Sequence, residues 1–496
     1  MFWNRDKSSA GRGKRNMHFQ PGNLLPAGLV SFWLTVTGAS GGILFTSLYS
    51  FTGSTDGCFP WGNLVQGSDG NLYGTANYGG AIYSISGHGT IFQITLDGTF
   101  NALYQFANDG DGDHPDLAGV VEGPDGFFYG TTVVGGDYHD GVIFIMSPDG
   151  YLFPIYSFSP YNGDGTGPRA GLVLGTDGNF YGTTQTGGLH YLGTVFRITS
   201  DWDYSRLFSF NGTNGATPTG SLVQGRDGNF YGTTLNGGAS FRGRDTFGNP
   251  TGAGTVFKIS TKGALTSLFS FDSTNGVQPV AGLIEGLDGK LYGSTELGGA
   301  NGYGSIFAIT TNGTFNSLVS FGGGPDGAYP TARLIQGSDG GFYGTTADVA
   351  FLNGGGAAPV GSGTIFRMTP DGTLITLYTF HGTTYGVEPV AGLTQASDGN
   401  LYGVTSGGGT YNLGTIFRLS ISMAPMVQKV QKMTSGLVFT WTSVAGQSYQ
   451  LQYNSNLSAG NWNNLGTTIL ATNGTMSACD PAVSDPKRFY RVVLLQ

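Results

Sequence analysis

The sequence predicts an all-β protein: a seven-bladed β-propeller with four strands per blade, followed by a small antiparallel β-sandwich. A ten-residue motif, GSDGNLYGTA at residues 67–76, occurs in seven similar copies along the 496 residues. Three further motifs recur between the copies in a fixed order, also in seven copies each. The chain also combines 89 glycines, 25 tyrosines and 34 phenylalanines with only 11% charged residues. This composition is typical of tight turns and aromatic-rich strands rather than helices.

The repeat unit contains four strand-like runs. Its motif tyrosines recur every 50 to 61 residues, at Tyr73, Tyr129, Tyr181, Tyr231, Tyr292, Tyr343 and Tyr402. A short apolar run such as residues 64–67 (strand A) precedes the motif, and strand B lies within it. Runs such as residues 89–92 (strand C) and 100–106 (strand D) follow. Four strands in about 50 residues make one propeller blade, which cannot bury both faces alone, so seven blades are expected to stack around an axis.

The Asp-Gly pair between strands A and B predicts a tight turn. Aspartate can bond neighbouring backbone groups, and glycine accepts a positive φ. Because every blade carries an equivalent copy, we expect the turn aspartates to serve structure rather than catalysis. They are Asp69, Asp125, Asp177, Asp227, Asp288, Asp339 and Asp398. The repeated Tyr, Phe and Ile residues are interpreted in the same way, as core between blades.

The order of the runs predicts how the ring closes. Residues 43–51 match the strand D of other units, whereas the last unit ends after its strand C at residues 414–420. We therefore expect the N-terminal strand to pair beside residues 415–419 and complete the last blade.

The repeated pattern resembles a known family. LVQGxDGNLYGTTxxGGxxxxGTxFKIT, followed by LYSF, is similar to the GloVer (Gloeo/Verruco) tandem repeat of exported bacterial proteins over roughly residues 42–420. The resemblance implies an exported protein and carries no activity. Two departures are small: Ala396 replaces the usual glycine before the last turn, and residues 347–362 replace a short Gly-Gly loop.

Residues 421–496 lack the blade motifs and alternate apolar with polar residues. This pattern predicts a small antiparallel sandwich that resembles the fibronectin-like C-terminal modules of exported bacterial surface proteins. Its expected core residues are Trp441, Tyr449, Leu451, Trp462 and Tyr490.

Residues 1–41 have the composition of a secretory signal. Five basic residues and one acid occupy the first fifteen positions, before an apolar run at residues 24–36 and small residues around a plausible cut after Ala39. An uncleaved membrane anchor is the alternative, but the run is shorter than the roughly 20 residues that span a bilayer. We expect a secreted or cell-surface protein, with the propeller at residues 42–420.

Charge and cysteine content exclude several classes of function. Outside the leader, 17 basic residues face 30 acidic ones, a formal charge of −13. An acidic chain without a basic stripe is not expected to bind nucleic acid. Cys58 and Cys479 are too few for a disulfide scaffold or a cysteine zinc site. We expect a monomer without a cofactor.

Variable loops mark the candidate binding face. In a four-stranded blade the D–A and B–C connections emerge on one face, which we call the long-loop face. These connections are long and variable, as at residues 235–253, and functional variety is usually found in such loops. Aromatic residues expected to be exposed there are Trp61, Tyr78, Tyr138, Tyr191, Phe241 and Tyr411.

One acidic loop has partial calcium-site spacing. Asp109, Asp111 and Asp113 alternate as in an EF-hand loop, but Val120 occupies the position of the bidentate glutamate. We therefore expect a solvated acidic loop and no metal.

The last residue of strand A occupies an equivalent position in each of the seven blades, and we call these seven residues the ring residues. They are Gln66, Glu122, Leu174, Gln224, Glu285, Gln336 and Gln395. Facing the axis, these side chains could hold a ligand or a cation. The favoured interpretation is a belt that pairs with backbone groups, because buried polar groups must be satisfied.

Two functions remain open. The first is a non-catalytic binding scaffold that recognises a glycan or a protein partner through the long-loop face. The alternative is a metal-dependent hydrolase or lactonase at the mouth of the central channel, which requires polar ligands converging on the axis. Residues leading into strand A are mainly small, namely Ala118, Ala170, Gly220, Ala281 and Ala391, and this favours binding.

Overall fold

A computed structural model describes two parts of the chain. In the repeat region the described residues are 42–80, 87–107, 110–117, 119–347, 363–382 and 384–421. In the C-terminal region they are 425, 427–434, 436–443, 447–455, 461–472, 475–481 and 488–495. The predicted signal, Asp109 and Ala118 lie outside these residues. Within them, no helix has the length and apolar character needed to cross a membrane.

The repeat region forms seven antiparallel sheets of four strands, as predicted. The chain begins with β1 (Ile43–Ser50). The strands of blades 1 and 2 are β2 (Val65–Gln66), β3 (Leu72–Ala76), β4 (Thr90–Ile94), β5 (Phe100–Gln105), β6 (Val120–Glu122), β7 (Phe128–Thr132), β8 (Val142–Met146) and β9 (Leu152–Ser157). A short 3-10 helix (Pro160–Asn162) follows. Blade 3 and its loops contain β10 (Gly165–Thr166), β11 (Val173–Leu174), β12 (Phe180–Thr184), β13 (Thr186–Gly187), β14 (Thr194–Ile198) and β15 (Tyr204–Ser209).

The remaining blades repeat the same order. The strands of blades 4 and 5 are β16 (Val223–Gln224), β17 (Phe230–Thr234), β18 (Thr255–Ile259), β19 (Leu265–Ser270), β20 (Ile284–Glu285), β21 (Leu291–Thr295), β22 (Ser305–Ile309) and β23 (Phe315–Ser320). Those of blades 6 and 7 are β24 (Ile335–Gln336), β25 (Phe342–Thr346), β26 (Thr364–Met368), β27 (Leu374–Thr379), β28 (Thr394–Gln395), β29 (Leu401–Thr405) and β30 (Thr415–Ile421). The last blade has the order β28-β29-β30-β1, with Leu44 opposite Ser420, so the predicted ring closure is confirmed.

Apolar packing lies between blades. Seven buried clusters occur in the ring, and each one combines side chains of two adjacent blades. The motif tyrosine of one blade packs on the strand B of the next: the Tyr73 and Phe128 ring centroids, for example, are 4.1 Å apart. The glycine after each tyrosine leaves room for the strand C phenylalanine, because a Cβ on Gly74 would lie 2.6 Å from Cζ of Phe92.

The Asp-Gly turn is bonded to the core by its own motif. Asp69 accepts hydrogen bonds from the Asn71 backbone N–H (3.0 Å) and from the Tyr73 hydroxyl (2.9 Å). All seven blades repeat the tyrosine-to-aspartate bond, at 2.7 to 3.1 Å. Gly70 has the expected positive φ of 85°. The ten-residue motif therefore makes a turn, fastens it to a buried ring and presents that ring to the next blade.

The C-terminal region forms two three-stranded antiparallel sheets, β31-β32-β35 and β34-β33-β36. Their strands are β31 (Val427–Met433), β32 (Gly436–Thr442), β33 (Ser448–Asn454), β34 (Asn463–Leu470), β35 (Thr475–Asp480) and β36 (Phe489–Leu495). Trp441, Tyr449, Leu451 and Tyr490 are buried together in one core. The prediction for Trp462 is wrong: this half-buried ring lies outside that cluster, under the Arg491 guanidinium at 4.3 Å.

Removal of residues 42–51 should greatly destabilise the ring. Without β1, strand β30 becomes an open edge, and Phe45 and Phe51 leave the two clusters on either side of blade 7. We expect a fall of at least 10 °C in the thermal unfolding midpoint, measured by circular dichroism. A separate peptide of residues 42–51 added in excess should restore part of it. An unchanged midpoint would contradict the proposed role of β1.

Asp227→Asn should lower stability in a pH-dependent manner. Burial by itself raises the pKa of the Asp227 carboxyl, but hydrogen bonds from Lys258, Asn229 and Tyr231 outweigh it and hold the pKa well below its usual range. The contribution is therefore present above the unfolded-state pKa of about 4 and is lost as pH falls through the lower folded-state pKa.

Urea unfolding should show a loss of about 1 kcal/mol for this variant at pH 7, because the carboxylate is partly exposed. The difference from the wild type should shrink at pH 3. Asp201→Asn, at an exposed turn on the same face, is the control and should change little. An equal loss at both pH values would show that ionised Asp227 does not stabilise the turn.

Candidate functional site

The D–A and B–C connections meet on one face, as expected for the long-loop face. Short bridges join the two connections of individual blades: Cys58 with Tyr78, Asp113 with Val134, Ala216 with Asn236, Val277 with Leu297, and Val387 with Gly407. In blade 3 the contact becomes a two-stranded sheet, β10 with β13. The long loops are therefore fastened in pairs.

The long-loop face carries a cavity of about 530 Å³, which we call the tyrosine groove. Three neighbouring blades contribute its walls, which consist of Asp140, Pro160, Tyr161, Gly163, Thr166, Thr186, Gly187, Gly188, Leu189, Tyr191 and Arg244. Tyr161 and Tyr191 are 87% and 68% exposed. Both rings are therefore accessible to a ligand, in contrast to the aromatic residues that pack between blades.

Backbone pairing fixes the floor of the groove. The hydroxyls of Thr166 and Thr186 lie 2.6 Å apart across the β10–β13 pair. Tyr191 has a positive φ of 56°, a costly conformation for a bulky residue. Arg244 helps to hold it, because Nη2 donates to the Tyr191 carbonyl at 2.8 Å while Nη1 donates to the Gly248 carbonyl at 2.6 Å. The long insertion of blade 4 is thereby fastened to the loop that displays Tyr191.

Polar groups surround the two rings. Burial raises the pKa of the Asp140 carboxyl, and the neighbouring His139 offsets this only in part. Tyr138, also exposed, stands edge-on to Tyr161 with centroids 6.4 Å apart. The groove thus combines aromatic faces with a carboxyl group, a guanidinium and two hydroxyls. This mixture suits a ligand that has apolar faces and hydroxyl edges.

Three of the predicted aromatics are exposed on this face. Tyr191 lines the groove, Tyr138 lies beside it, and Tyr411 stands on the B–C loop of blade 7. Tyr161, Leu189 and Arg244 were not predicted. The signals for them were the tyrosine in the long D–A loop at residues 158–168 and the arginines of the 235–253 insertion.

The other three aromatics are partly buried, which corrects the expectation that they are exposed. Trp61 and Tyr78 make an edge-on contact with centroids 6.1 Å apart, and Tyr78 also contacts His114 at 4.7 Å. Phe241 packs on the cluster between blades 3 and 4, against Gly212. The insertion folds back on its own blade, so this ring serves packing.

The ring residues connect blades on the opposite face. In six junctions the backbone N–H of a turn residue donates to the ring residue of the next blade. The pairs are Ser68 to Glu122 (2.7 Å), Thr176 to Gln224 (2.8 Å), Arg226 to Glu285 (3.0 Å), Leu287 to Gln336 (2.8 Å), Ser338 to Gln395 (2.9 Å) and Ser397 to Gln66 (2.8 Å). In the seventh, Pro124 has no N–H to donate and Leu174 has no acceptor. This geometry supports the interpretation as a belt.

The described part of the acidic loop is held by protein groups. Asp111 accepts bonds from the Tyr104 hydroxyl (2.8 Å) and the Ala107 N–H (3.0 Å). The Asp113 carboxylate lies 3.0 Å from Nδ1 of His88 and 2.6 Å from Nδ1 of His114. Among the described residues, no three His, Cys, Asp or Glu side chains are arranged to hold a metal ion. Asp109 lies outside them.

The fold and the loop-built groove define a seven-bladed β-propeller with its variable surface on one face. The family model described as "Gloeobacter/Verrucomicrobia repeat" matches residues 34–172, 83–244 and 240–469. The chain belongs to this family of repeat proteins, in agreement with the resemblance noted from its motifs.

Solved structures are similar at low identity. The extracellular domain ascribed to a hybrid two-component system from B. thetaiotaomicron matches at 11% identity and a TM-score of 0.49, over 91% of this chain and 57% of that one. A puromycin hydrolase matches at 11% identity and a TM-score of 0.47, over 77% of this chain and 58% of that one. A protein described as a 6-phosphogluconolactonase from Bacteroides uniformis matches at 14% identity and a TM-score of 0.41, over 79% of this chain and 95% of that one. This chain thus spans little more than half of the first structure. A search of curated proteins finds no match. At these values the similarities carry no argument about function.

Gln224→Leu should destabilise the junction between blades 3 and 4, and adding Thr176→Pro should recover part of the loss. The first change removes the acceptor for the Thr176 N–H, and the second removes that donor, which reproduces the natural pair Pro124 and Leu174. We expect a loss of about 1 kcal/mol for the single variant by urea unfolding. Additive losses in the double variant would contradict this account of the belt.

Proposed function

We propose that the protein is an exported, non-catalytic propeller that binds a saccharide in the tyrosine groove of its long-loop face. The observation that carries this proposal is the pair of exposed rings, Tyr161 and Tyr191, at a groove that also presents Asp140 and Arg244. Aromatic faces cover the apolar face of a sugar ring at a low cost in side-chain entropy. Carboxyl, guanidinium and hydroxyl groups bond the sugar hydroxyls at its edge.

The rigidity of the groove supports binding. Its floor is a strand pair, and the loop that displays Tyr191 is fastened by Arg244. A ligand that enters a preformed groove need not order its loops, so more of the contact energy appears as affinity. The other face, with its short Asp-Gly turns and its belt, has uniform structural bonds in place of variable groups.

The metal-dependent hydrolase is less well supported. At the channel mouth the described residues include Asn63, Ser221 and Arg333, and a guanidinium there disfavours a bound cation. Export is supported by the leader composition of residues 1–41. We further propose that the protein acts as a monomer and does not bind nucleic acid, with the C-terminal sheets as a spacer or attachment module.

Tyr191→Ala should weaken saccharide binding by about 1 to 3 kcal/mol without unfolding the ring, because a stacking anchor is lost. Neutral hexasaccharides of glucose, mannose and xylose, together with hexauronates, form the probe set, and the best binder is titrated by calorimetry. Tyr161→Ala should give a similar loss.

Tyr411→Ala is the matched control, because it removes another exposed tyrosine from the same face at a distant blade. Binding by no member of the probe set, or equal affinity in the Tyr191→Ala and Tyr411→Ala variants, would refute the proposal. Turnover of a saccharide or a lactone would replace it with an enzyme.

A further inference from the structure

One position breaks the pattern of small residues at the axis. It lies three residues before each ring residue, where the seven blades carry Asn63, Gly119, Gly171, Ser221, Gly282, Arg333 and Gly392. Four blades therefore have glycine, and three have a side chain that can donate hydrogen bonds. Blades 1, 4 and 6 contribute the three side chains, so the donors are spread around the ring.

These three side chains share one small cavity. It has a volume of about 40 Å³, and residues of blades 1, 2, 4, 5, 6 and 7 line it, which places it on the propeller axis. Loop residues such as Trp61 and Thr331 form its outer part, so it opens toward the long-loop face. A water molecule occupies about 30 Å³ of the liquid, so this space suits one small ion or the tip of a larger ligand.

Hydrogen bonds orient these three side chains and leave some of their N–H and O–H groups available for a ligand. Oδ1 of Asn63 accepts from the Gly392 N–H at 2.6 Å, and Oγ of Ser221 accepts from the Gly171 N–H at 3.1 Å. Nε of Arg333 donates to the Leu283 carbonyl at 3.0 Å. The amide of Asn63, the hydroxyl hydrogen of Ser221 and both terminal nitrogens of Arg333 have no acceptor among the described residues. Each fixed side chain thus keeps at least one donor.

The charge of Arg333 is uncompensated. Among the described residues no carboxylate lies within ion-pair distance of it, whereas Arg169, in the loop that leads into blade 3, is paired with Asp116 at 2.5 Å. Burial lowers the pKa of Arg333, but a guanidinium remains protonated in proteins. Arg333 is only partly exposed, so water compensates its charge incompletely, and an anion bound in the cavity would be favourable there.

We propose that Asn63, Ser221 and Arg333 form an axial site for a small monovalent anion, either a halide or a carboxylate group. The planar fork of a guanidinium fits a carboxylate, and the amide and hydroxyl supply further donors. The site does not depend on the tyrosine groove, so either proposal can fail alone.

The test measures thermal unfolding of the full chain in increasing sodium acetate and, separately, sodium bromide. Arg333→Gly is the main variant, because four blades carry glycine at this position. Arg333→Gln is the second variant, in case the first does not fold, and Lys262→Ala, at an exposed cation in a turn, controls for general salt effects. Specific binding raises the midpoint with the logarithm of anion concentration.

We expect the wild type and Lys262→Ala to gain about 1 to 2 °C more than either Arg333 variant at 100 mM anion. Crystals soaked in bromide should show an anomalous peak beside the Arg333 terminal nitrogens. A specific rise of the unfolding midpoint with both anions, or with one alone, supports the site and identifies whether it takes a halide, a carboxylate group or both. Equal midpoint shifts in all four proteins with both anions, or a midpoint rise in bromide without a bromide peak at Arg333, would overturn the proposal.

Discussion

The structure depends on one constraint: no blade contains a complete hydrophobic core of its own. Each buried cluster of the ring combines side chains from two blades, so a single blade would expose most of what it buries. The ring must therefore close, and β1 closes it by completing the sheet that ends with β30. Every copy of the ten-residue motif serves this constraint, since its tyrosine reaches the next blade while its hydroxyl remains bonded to its own turn. Repetition follows because seven equivalent junctions have the same requirements.

Much of the fold could be predicted because these requirements repeat. A residue type that appears seven times at one position must suit every blade, as with Asp69 and Gly70 in the first turn. Ring closure could be predicted because a strand D sequence precedes the first blade, whereas the last unit lacks one. The C-terminal sheets have no repeat, so the prediction that Trp462 lies in their core rested only on the alternation of apolar and polar residues. Its indole ring instead lies under the Arg491 guanidinium. A tryptophan beside a strand can pack on either side, and one copy of a sequence does not say which.

The site was harder to predict because it is made from loops of different blades. Variability indicated the long-loop face, and Tyr138 and Tyr191 are exposed there. Sequence reasoning could not show that Tyr161 and Arg244, 83 positions apart, line one groove. It also could not show that Phe241 folds back on its own core. Departures from the repeat carried more information than the repeat itself. Pro124 with Leu174 and Arg333 in place of glycine both mark positions where one junction differs from the others.

We propose that the ring is a rigid support for a saccharide groove between the loops of blades 2, 3 and 4. Hydrogen–deuterium exchange with and without the best-binding hexasaccharide tests it most directly, because it maps contact along the whole chain. The account predicts slower exchange of backbone amides at residues 138–141, 161–167, 186–192 and 242–251, with unchanged exchange in the Asp-Gly turns. Protection at the turns, or at the long loops of blades 5 to 7 alone, would contradict the account.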